Sequence, residues 1–190
     1  EPGFSRTGDA FWGFERHGLV PDMVTMGKPM GNGFPLSGTA MRPELVQEFG
    51  EKARYFNTFG GNPVAAAAGM AVLDVIADEG LQDNATAVGG YLKSGLQDIA
   101  TRYPEIGHVR GAGLFLAVEC VTARETNAPD AARAKFVVNH LRQNGVLISA
   151  TGPGANVLKI RPPLVLQQAE ATLFLEATEA AFAAARAEGI

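Results

Sequence analysis

Cysteine is almost absent from this chain: of its 190 residues, Cys120 alone carries a thiol. A single cysteine excludes an intrachain disulfide, and its position in the apolar run 114–121 favours a buried, unreactive thiol. This usage is typical of a reducing compartment, so we expect a cytoplasmic protein.

Long hydrophobic runs and clusters of one charge are also missing. No stretch reaches the roughly 18 consecutive apolar residues of a membrane span, and the N-terminus lacks a signal-peptide pattern. The 16 Lys and Arg residues are scattered and face 20 Asp and Glu residues, for a formal charge of -4. These absences argue against a membrane protein and against a nucleic-acid partner. With 46% hydrophobic and 19% charged residues, the composition is that of a folded globular chain.

The opening stretch, Glu1 to Gly8, is rich in turn residues and has no initiator methionine, so we expect a cut inside a larger protein. Short helices and strands are predicted after it. The expected helices are a short one capped by Asp9 and ending near Gly18, and others at 43–49, 63–77 and 81–103; the expected strands are 23–26 and 36–41.

The second half of the chain has a different pattern. It predicts strands at 113–121, 146–149 and 157–161 and helices at 130–144 and 167–187. The helix before it has apolar residues at every third or fourth position and is long enough to bridge two domains. We therefore expect a compact α+β unit at the C-terminus.

Lys28 is conspicuous because the chain has only five lysines and this one stands between Gly27 and Pro29, after an apolar strand. A lysine in a dry pocket has a lowered pKa, and its neutral amine can form a Schiff base with an aldehyde. The alternative is a lysine at the surface or near a helix dipole, since most lysines lie in solvent. The chemistry of the residue alone leaves both interpretations open.

Thr58 lies in a second candidate segment, the loop 55–62, just before a helix that starts at Pro63. A hydroxyl and backbone N–H groups beside Gly60 and Gly61 suit a phosphate at a helix N-terminus. Asn, Thr, Gly and Pro are also the common residues of ordinary helix-capping loops, which is the simpler interpretation.

Together these segments resemble those of a known family. Residues 20–33, VPDMVTMGKPMGNG, resemble the cofactor-lysine signature of class III aminotransferases, and residues 55–63 resemble that family's phosphate-contacting loop. The order and spacing of residues 109–114 and 159–164 match as well. The resemblance covers essentially the whole chain.

The resemblance implies an α/β protein of fold-type I with pyridoxal 5'-phosphate as its cofactor. Residues 1–62 would be the C-terminal part of the large cofactor-binding domain, residues 63–104 the connecting helices, and residues 105–190 the small C-terminal α+β domain. The family's aspartate partner of the pyridine nitrogen and its glycine-rich phosphate loop would both precede Glu1, so we expect the isolated chain to be inactive. Glu1 itself stands where the family commonly has a glutamine beside the cofactor ring.

By the same resemblance, Lys28 would form the Schiff base with the cofactor and then move a proton between the substrate's α carbon and the cofactor. Thr58 would contact the cofactor phosphate of the neighbouring subunit, which implies a homodimer with a shared active site. No metal site is expected.

Lys159 stands where many members of the family have an arginine for the substrate carboxylate. In an extended strand, Lys159 and Arg161 would point to the same face and could bind an anion together. Two basic residues on a solvated face are the alternative. Lysine at this position, shortly after residues 151–154, resembles the alanine–glyoxylate aminotransferase 2-like branch, which includes phospholyases. Phe34 stands where that branch can carry histidine.

Three functions remain open from the sequence. The leading hypothesis is transfer of an amino group between an amine or amino acid and a 2-oxo acid. The second is a phospholyase that expels a β-phosphate from a phosphorylated amino alcohol. The third is a non-catalytic fragment that folds and dimerises. Keto-acid-dependent turnover, phosphate release or neither would distinguish them.

Overall fold

A computed structural model describes residues 3–190, so the prediction for Glu1 lies outside the described residues. Within them the chain is an α/β structure with a two-stranded and a four-stranded sheet. The strands are β1 (Met23–Met26), β2 (Gly38–Met41), β3 (Ile106–Ala112), β4 (Phe115–Cys120), β5 (Ser149–Thr151) and β6 (Val157–Ile160). The α-helices are α1 (Pro43–Lys52), α2 (Pro63–Asp78), α3 (Leu81–Arg102), α4 (Ala131–Gln143) and α5 (Gln168–Ala187). No helix among these is both long and apolar enough to cross a membrane.

Proline and polar side chains mark the starts of the helices. Pro43 and Pro63 are the first residues of α1 and α2, where a missing N–H costs no hydrogen bond. The Asp130 carboxylate accepts a hydrogen bond from a first-turn N–H of α4 at 2.9 Å. Gln167 and Glu170 form a reciprocal capping box at the start of α5. These four helices begin within a residue of the predicted positions.

The predicted helix after Asp9 is wrong. Only Glu15–His17 form a short 3-10 helix, and Asp9 makes an ion pair with Arg16 at 3.1 Å instead of capping a helix. The rings of Phe11 and Trp12 pack edge to face, with centroids 4.8 Å apart. Adjacent residues do not face each other on a helix, so this aromatic packing favours an irregular chain.

Two strands of the second half differ from the prediction. The strand predicted at 146–149 is displaced, because β5 pairs with β6 only over Ser149–Thr151. Val146 and Ile148 pack against the core from an irregular segment, so their apolar pattern is not that of a strand. Strand β3 was not predicted, because its two glycines and basic residues hide the alternation. Its pairing with β4 creates the strand.

The four-stranded sheet has the order β3-β4-β6-β5 and is antiparallel throughout. Leu116 lies opposite Ile160, and Val118 lies opposite Leu158, so β4 and β6 share one buried face. Helices α3, α4 and α5 pack on this face, and their buried residues include Leu92, Leu96, Val137, Leu141 and Phe182. The core of the molecule therefore lies between the sheet and a single layer of helices.

Residues 3–8, the N-terminal segment, dock between α3 and the turn that joins β3 to β4. The Ser5 hydroxyl donates to the side chain of Gln82 at 3.0 Å, and the backbone N–H of Leu114 donates to the carbonyl of Arg6 at 2.9 Å. Gly113 has a φ of 52°, and a Cβ there would lie 2.4 Å from the Arg6 carbonyl oxygen. Only glycine permits this close approach.

Candidate active site

Lys28 lies where β1 leaves the two-stranded sheet. In that sheet Met26 lies opposite Gly38, and Lys28 opens the 3-10 helix Lys28–Gly31. The backbone of Lys28 has a φ of 46°. This left-handed conformation costs a non-glycine residue about 1–2 kcal/mol and persists where the surroundings impose it, often at functional sites. The strand and the turn thus present this lysine at a strained, defined position.

A cavity of about 500 Å³ adjoins Lys28. Its lining includes Phe4, Trp12, Phe14, Val24, Met26 and Pro29. The rings of Trp12 and Phe14 are nearly parallel, with 6° between their planes and 6.1 Å between centroids. Small-molecule sites commonly have volumes of roughly 300–1,000 Å³ and mostly apolar walls. Lys28 is exposed, so this chain does not by itself enclose the amine. The cavity combines a primary amine with aromatic walls that suit a flat ring.

Thr58 lies in an exposed loop, residues 53–62, that leads into α2. The Asn62 side chain accepts hydrogen bonds from two first-turn N–H groups of α2, at 2.9 and 3.3 Å. The Asn57 side chain accepts one from the N–H of Phe59 at 3.1 Å. Asn62 therefore caps the helix, as the simpler interpretation predicted, and Asn57 stabilises the loop itself. The contact between Thr58 and a phosphate stays a prediction.

Lys159 lies in β6, between β4 and β5. Its neighbours Leu158 and Ile160 are 1% and 3% exposed and belong to the core, so the Lys159 side chain points to the opposite face. Arg161 is exposed just beyond the end of the strand. Because β6 ends at Ile160, strand alternation does not extend to Arg161, and a shared face for the two basic side chains stays a prediction.

Lys159 and Arg161 line one cavity of about 630 Å³. Its apolar part includes Leu147, Leu166 and Phe174, and Glu170 adds a carboxylate. The structure thus brings these two predicted residues together. Lys28 lines a different cavity, and Thr58 lies in the loop before α2.

A third cavity, of about 510 Å³, connects the first two through shared walls. Pro29 lines both this cavity and the one at Lys28, whereas Pro163 lines both this cavity and the one at Lys159. The Lys28 turn and the end of β6 therefore flank a common region of the molecule.

Arg6 is a residue of this region that the sequence reasoning missed. It lines the third cavity, and its Nη1 donates to the carbonyl of Pro162 at 2.6 Å and to that of Leu114 at 3.2 Å. Burial, and then the positive charge of Arg161, lower the pKa of the Arg6 guanidinium. Its carbonyl partners lie more than a hundred positions away in the chain, and no local pattern signals them. The one available signal was an arginine in an otherwise uncharged run of turn residues, 2–8.

Proteins of similar sequence identify the family of this chain. The profile of the family described as Aminotransferase class-III matches residues 1–182. The chain is 45% identical over 179 residues to an alanine–glyoxylate aminotransferase 2 homolog 2, mitochondrial, of Arabidopsis thaliana, a match that covers 94% of this chain and 37% of that protein. The chain thus spans a little over a third of the length of this curated relative.

Solved structures share the fold. A phospholyase from Arthrobacter in complex with phosphoethanolamine has a TM-score of 0.92 and 43% identity, covering 95% of this chain and 43% of that one. An amine transaminase from an uncultivated Pseudomonas species in the PLP-bound form has a TM-score of 0.85 and 34% identity, over 95% of this chain and 42% of that one. The fold is that of pyridoxal-phosphate transaminases and a phospholyase, and pyridoxal 5'-phosphate is the cofactor that the family implies. On its sequence, its fold and the match across residues 1–182, this chain belongs to the class III aminotransferase family.

Proposed function

We propose that this chain is the cofactor-lysine part of an enzyme that transfers an amino group between an amine or amino acid and a 2-oxo acid. The observation that carries the proposal is the placement of Lys28, in strained backbone beside an aromatic-walled cavity. The proposed division of the chain stays as the resemblance implies: residues 1–62 in the large domain, 63–104 as connecting helices and 105–190 in the small domain.

The residues around Lys28 fit pyridoxal 5'-phosphate. When bound, this cofactor supplies an aldehyde and an electron-withdrawing ring. The Lys28 amine would hold the cofactor through its aldehyde carbon and, once a substrate amine displaces it there, would be free to take or return the proton at the substrate's α carbon. Trp12 and Phe14 supply apolar surface that keeps water from the reacting groups. Thr58 is proposed to donate its hydroxyl to the cofactor phosphate of a second subunit.

The substrate is proposed to carry an anion that Lys159 and Arg161 bind. Both residues are basic and line one cavity, which supports this assignment. A lysine is a point charge that meets a phosphate or a carboxylate without requiring planar geometry. The amino donor is therefore an amine or amino acid with a carboxylate or another anionic group, and the acceptor is a small 2-oxo acid.

A phospholyase is the second candidate function. It is supported by the similarity to the Arthrobacter phospholyase and by Lys159 in place of arginine. Phe34, in the turn before β2, stands where the phospholyase branch can carry histidine, which favours the transaminase. The two reactions differ in one product, since the lyase releases phosphate from the β carbon of a phosphorylated amino alcohol.

A homodimer is proposed as the active assembly. Three aromatic residues in the loop before α2 are largely exposed: Tyr55 by 71%, Phe56 by 87% and Phe59 by 81%. A contiguous group of exposed aromatic rings favours burial against another protein surface. The group adjoins Thr58, so a second copy that covers it would also meet the residue proposed for a shared site. We expect the dimer in the cytoplasm, which the single buried thiol of Cys120 supports.

The isolated chain is proposed to be inactive. The family's aspartate for the pyridine nitrogen and its phosphate loop are expected outside residues 1–190, and Lys28 is exposed in this chain. Activity is therefore to be measured on a full-length protein that carries this chain.

The Lys28 assignment is tested by reducing the full-length protein with borohydride in the presence of pyridoxal phosphate, then mapping the modified peptide by mass spectrometry. We expect modification of Lys28 in the wild type and none in Lys28→Ala, whereas Lys52→Ala, a change at an exposed lysine of α1, keeps it. Modification spread over several lysines, or equal in Lys28→Ala, would refute the assignment.

The reaction is tested by two product assays on the same protein. Turnover that requires a 2-oxo acid supports amino-group transfer, and phosphate release from phosphoethanolamine without a 2-oxo acid supports the lyase. If Lys28 is modified but neither product forms, both proposed reactions are contradicted and the non-catalytic hypothesis remains.

A further inference from the structure

The N-terminal segment is tied to the end of β6 by one side chain. Nη1 of Arg6 donates to the carbonyl of Pro162 at 2.6 Å, and Pro162 directly follows Arg161. The same atom donates to the carbonyl of Leu114 at 3.2 Å. Hydrogen bonds from a charged donor are stronger than neutral ones, so Arg6 fixes the backbone immediately after Arg161.

A second side chain fixes the far end of the same stretch. Nδ2 of Asn84, in α3, donates to the carbonyls of Leu164 and Leu166 at 2.7 and 3.0 Å. Pro162 and Pro163 between these anchors have no N–H and a restricted φ. Residues 162–166, the post-strand segment, are therefore held by proline stiffness and by two side chains from distant parts of the chain.

Arg6 also brings a third positive charge towards the end of β6, beside Lys159 and Arg161. The pKa of its guanidinium is lowered by burial and then by the charge of Arg161. Like charges held close together repel each other, and an anion between or beside them relieves that repulsion. The hydrogen bonds of Arg6 thus hold its positive charge near Arg161. The repulsion between the two charges destabilises the anion-free protein, and a bound anion relieves it.

We propose that Arg6 is a positioning residue for the anion site of Lys159 and Arg161: by holding the Pro162 carbonyl, it fixes the end of β6 so that both cations meet one anionic group. This inference rests on the proposed substrate role of Lys159 and Arg161. Arg6 acts through the backbone and needs no contact with the anion.

The test measures the affinity of the full-length protein, loaded with pyridoxal phosphate, for inorganic phosphate by isothermal titration calorimetry. We expect Arg6→Gln to weaken phosphate binding about tenfold, because the variant loses a charged hydrogen bond that orders the site. Arg6→Lys keeps a charged donor and is expected to restore the affinity to within about threefold of the wild type.

Arg124→Gln is the matched control. Arg124 also donates to backbone carbonyls, those of Ala100, Tyr103 and Ile106, but these lie away from the end of β6. We expect this variant to lower the melting temperature about as much as Arg6→Gln and to leave the phosphate affinity within about twofold of the wild type.

A double-mutant cycle assigns the effect to the proposed site. In a Lys159→Ala background, Arg6→Gln should cause little further loss of phosphate affinity, because the site it positions is already disrupted. The inference is overturned if Arg6→Gln binds phosphate like the wild type, if Arg124→Gln weakens binding equally, if the two losses add fully, or if the wild type binds no phosphate. Reductive labelling of Lys28 with pyridoxal phosphate and borohydride is measured in the same samples. It tests the proposed cofactor role independently of phosphate binding.

Discussion

At the scale of single residues, the site depends on backbone conformations that side chains disfavour. Lys28 and Asn32 have positive φ values of 46° and 44° at the two ends of one short turn. Asparagine tolerates this region, whereas lysine does not do so readily. Strained backbone of this kind occurs often at functional sites, which is the physical support for the proposed role of Lys28.

The strain at Lys28 predicts a difference between two variants that both lack the amine. Lys28→Gly should be more stable than Lys28→Ala by about 1 kcal/mol, because glycine enters the left-handed region without a Cβ clash. Urea unfolding of the two proteins measures the difference. An alanine variant as stable as the glycine variant would mean that the backbone relaxes and that the position is not strained.

Cys120 is predicted to be inert while the protein is folded. Burial raises the pKa of its thiol to about 12, and the carboxylate of Asp130 contributes in the same direction. The thiolate is the reactive form, so at about pH 8 almost none is present. A thiol reagent should modify Cys120 only after denaturant is added. Rapid modification of the native protein would show that the residue is accessible.

At the scale of elements, α3 is the helix on which the other parts are assembled. Gly89 allows its backbone to touch the turn between β3 and β4: a Cβ there would lie 2.3 Å from the carbonyl carbon and oxygen of Gly113. Gly90, the next residue, has open space around it. Two adjacent glycines of one helix thus have different roles, and only one of them is a packing contact.

This difference predicts opposite effects of the same substitution. Gly89→Ala should destabilise the protein by about 1–3 kcal/mol, because the new methyl group overlaps backbone that cannot yield easily. Gly90→Ala should stabilise it by up to about 1 kcal/mol through helix propensity. Thermal unfolding of the pair checks both signs. Equal effects would mean that α3 shifts away from the turn.

The C-terminal helix α5 is attached to the loop after α3 by an ion pair. Arg186 donates from two nitrogens to Glu105, both at 2.9 Å, and lies 4.7 Å from the ring centre of Tyr103. Burial acts to raise the pKa of Glu105. The hydrogen bond from Arg186, a backbone hydrogen bond and nearby positive charge outweigh it, so the pKa is lowered below its ordinary value of 4.5.

The lowered pKa fixes the sign of a pH dependence. A carboxylate with a depressed folded-state pKa contributes stability above its unfolded pKa, and this contribution is lost as the pH falls through the folded value. The stability advantage of the wild type over Glu105→Gln should therefore be constant near neutral pH and shrink below about pH 4.5. Urea midpoints of both proteins across this range measure it. An advantage that grew on acidification would contradict the assigned direction.

At the scale of the whole molecule, the exposed aromatic group before α2 predicts an oligomeric state. Replacing Phe56 and Phe59 by serine should shift the full-length protein from dimer towards monomer, because their rings are proposed to be buried between copies. Sedimentation at several concentrations measures the shift. Leu19→Ser, at a residue 60% exposed and outside the three cavities, is the control and should leave the dimer intact.

The sequence predicted most helices and the segment around Lys28, because proline starts, polar caps and apolar spacing are local signals. The sequence did not predict three features: the irregular stretch after Asp9, strand β3 and the register of β5. These features depend on contacts between distant residues or on packing that no regular element has. For the site, the sequence paired Lys159 with Arg161, and both line one cavity, whereas the expected shared strand face stays a prediction. Arg6 was missed because its partners, Leu114 and Pro162, follow it by more than a hundred residues.

The position of β6 between β4 and β5 has a consequence for biosynthesis. The ribosome releases β3 and β4 first, and β4 then has one paired edge and one bare edge while α4 and β5 emerge. Since β5 pairs with β6 and not with β4, only the arrival of Val157–Ile160 covers that edge. An uncovered strand edge is a template for association between nascent chains. While the segment between residues 120 and 157 is being translated, the bare edge of β4 is thus exposed to neighbouring chains on the polysome.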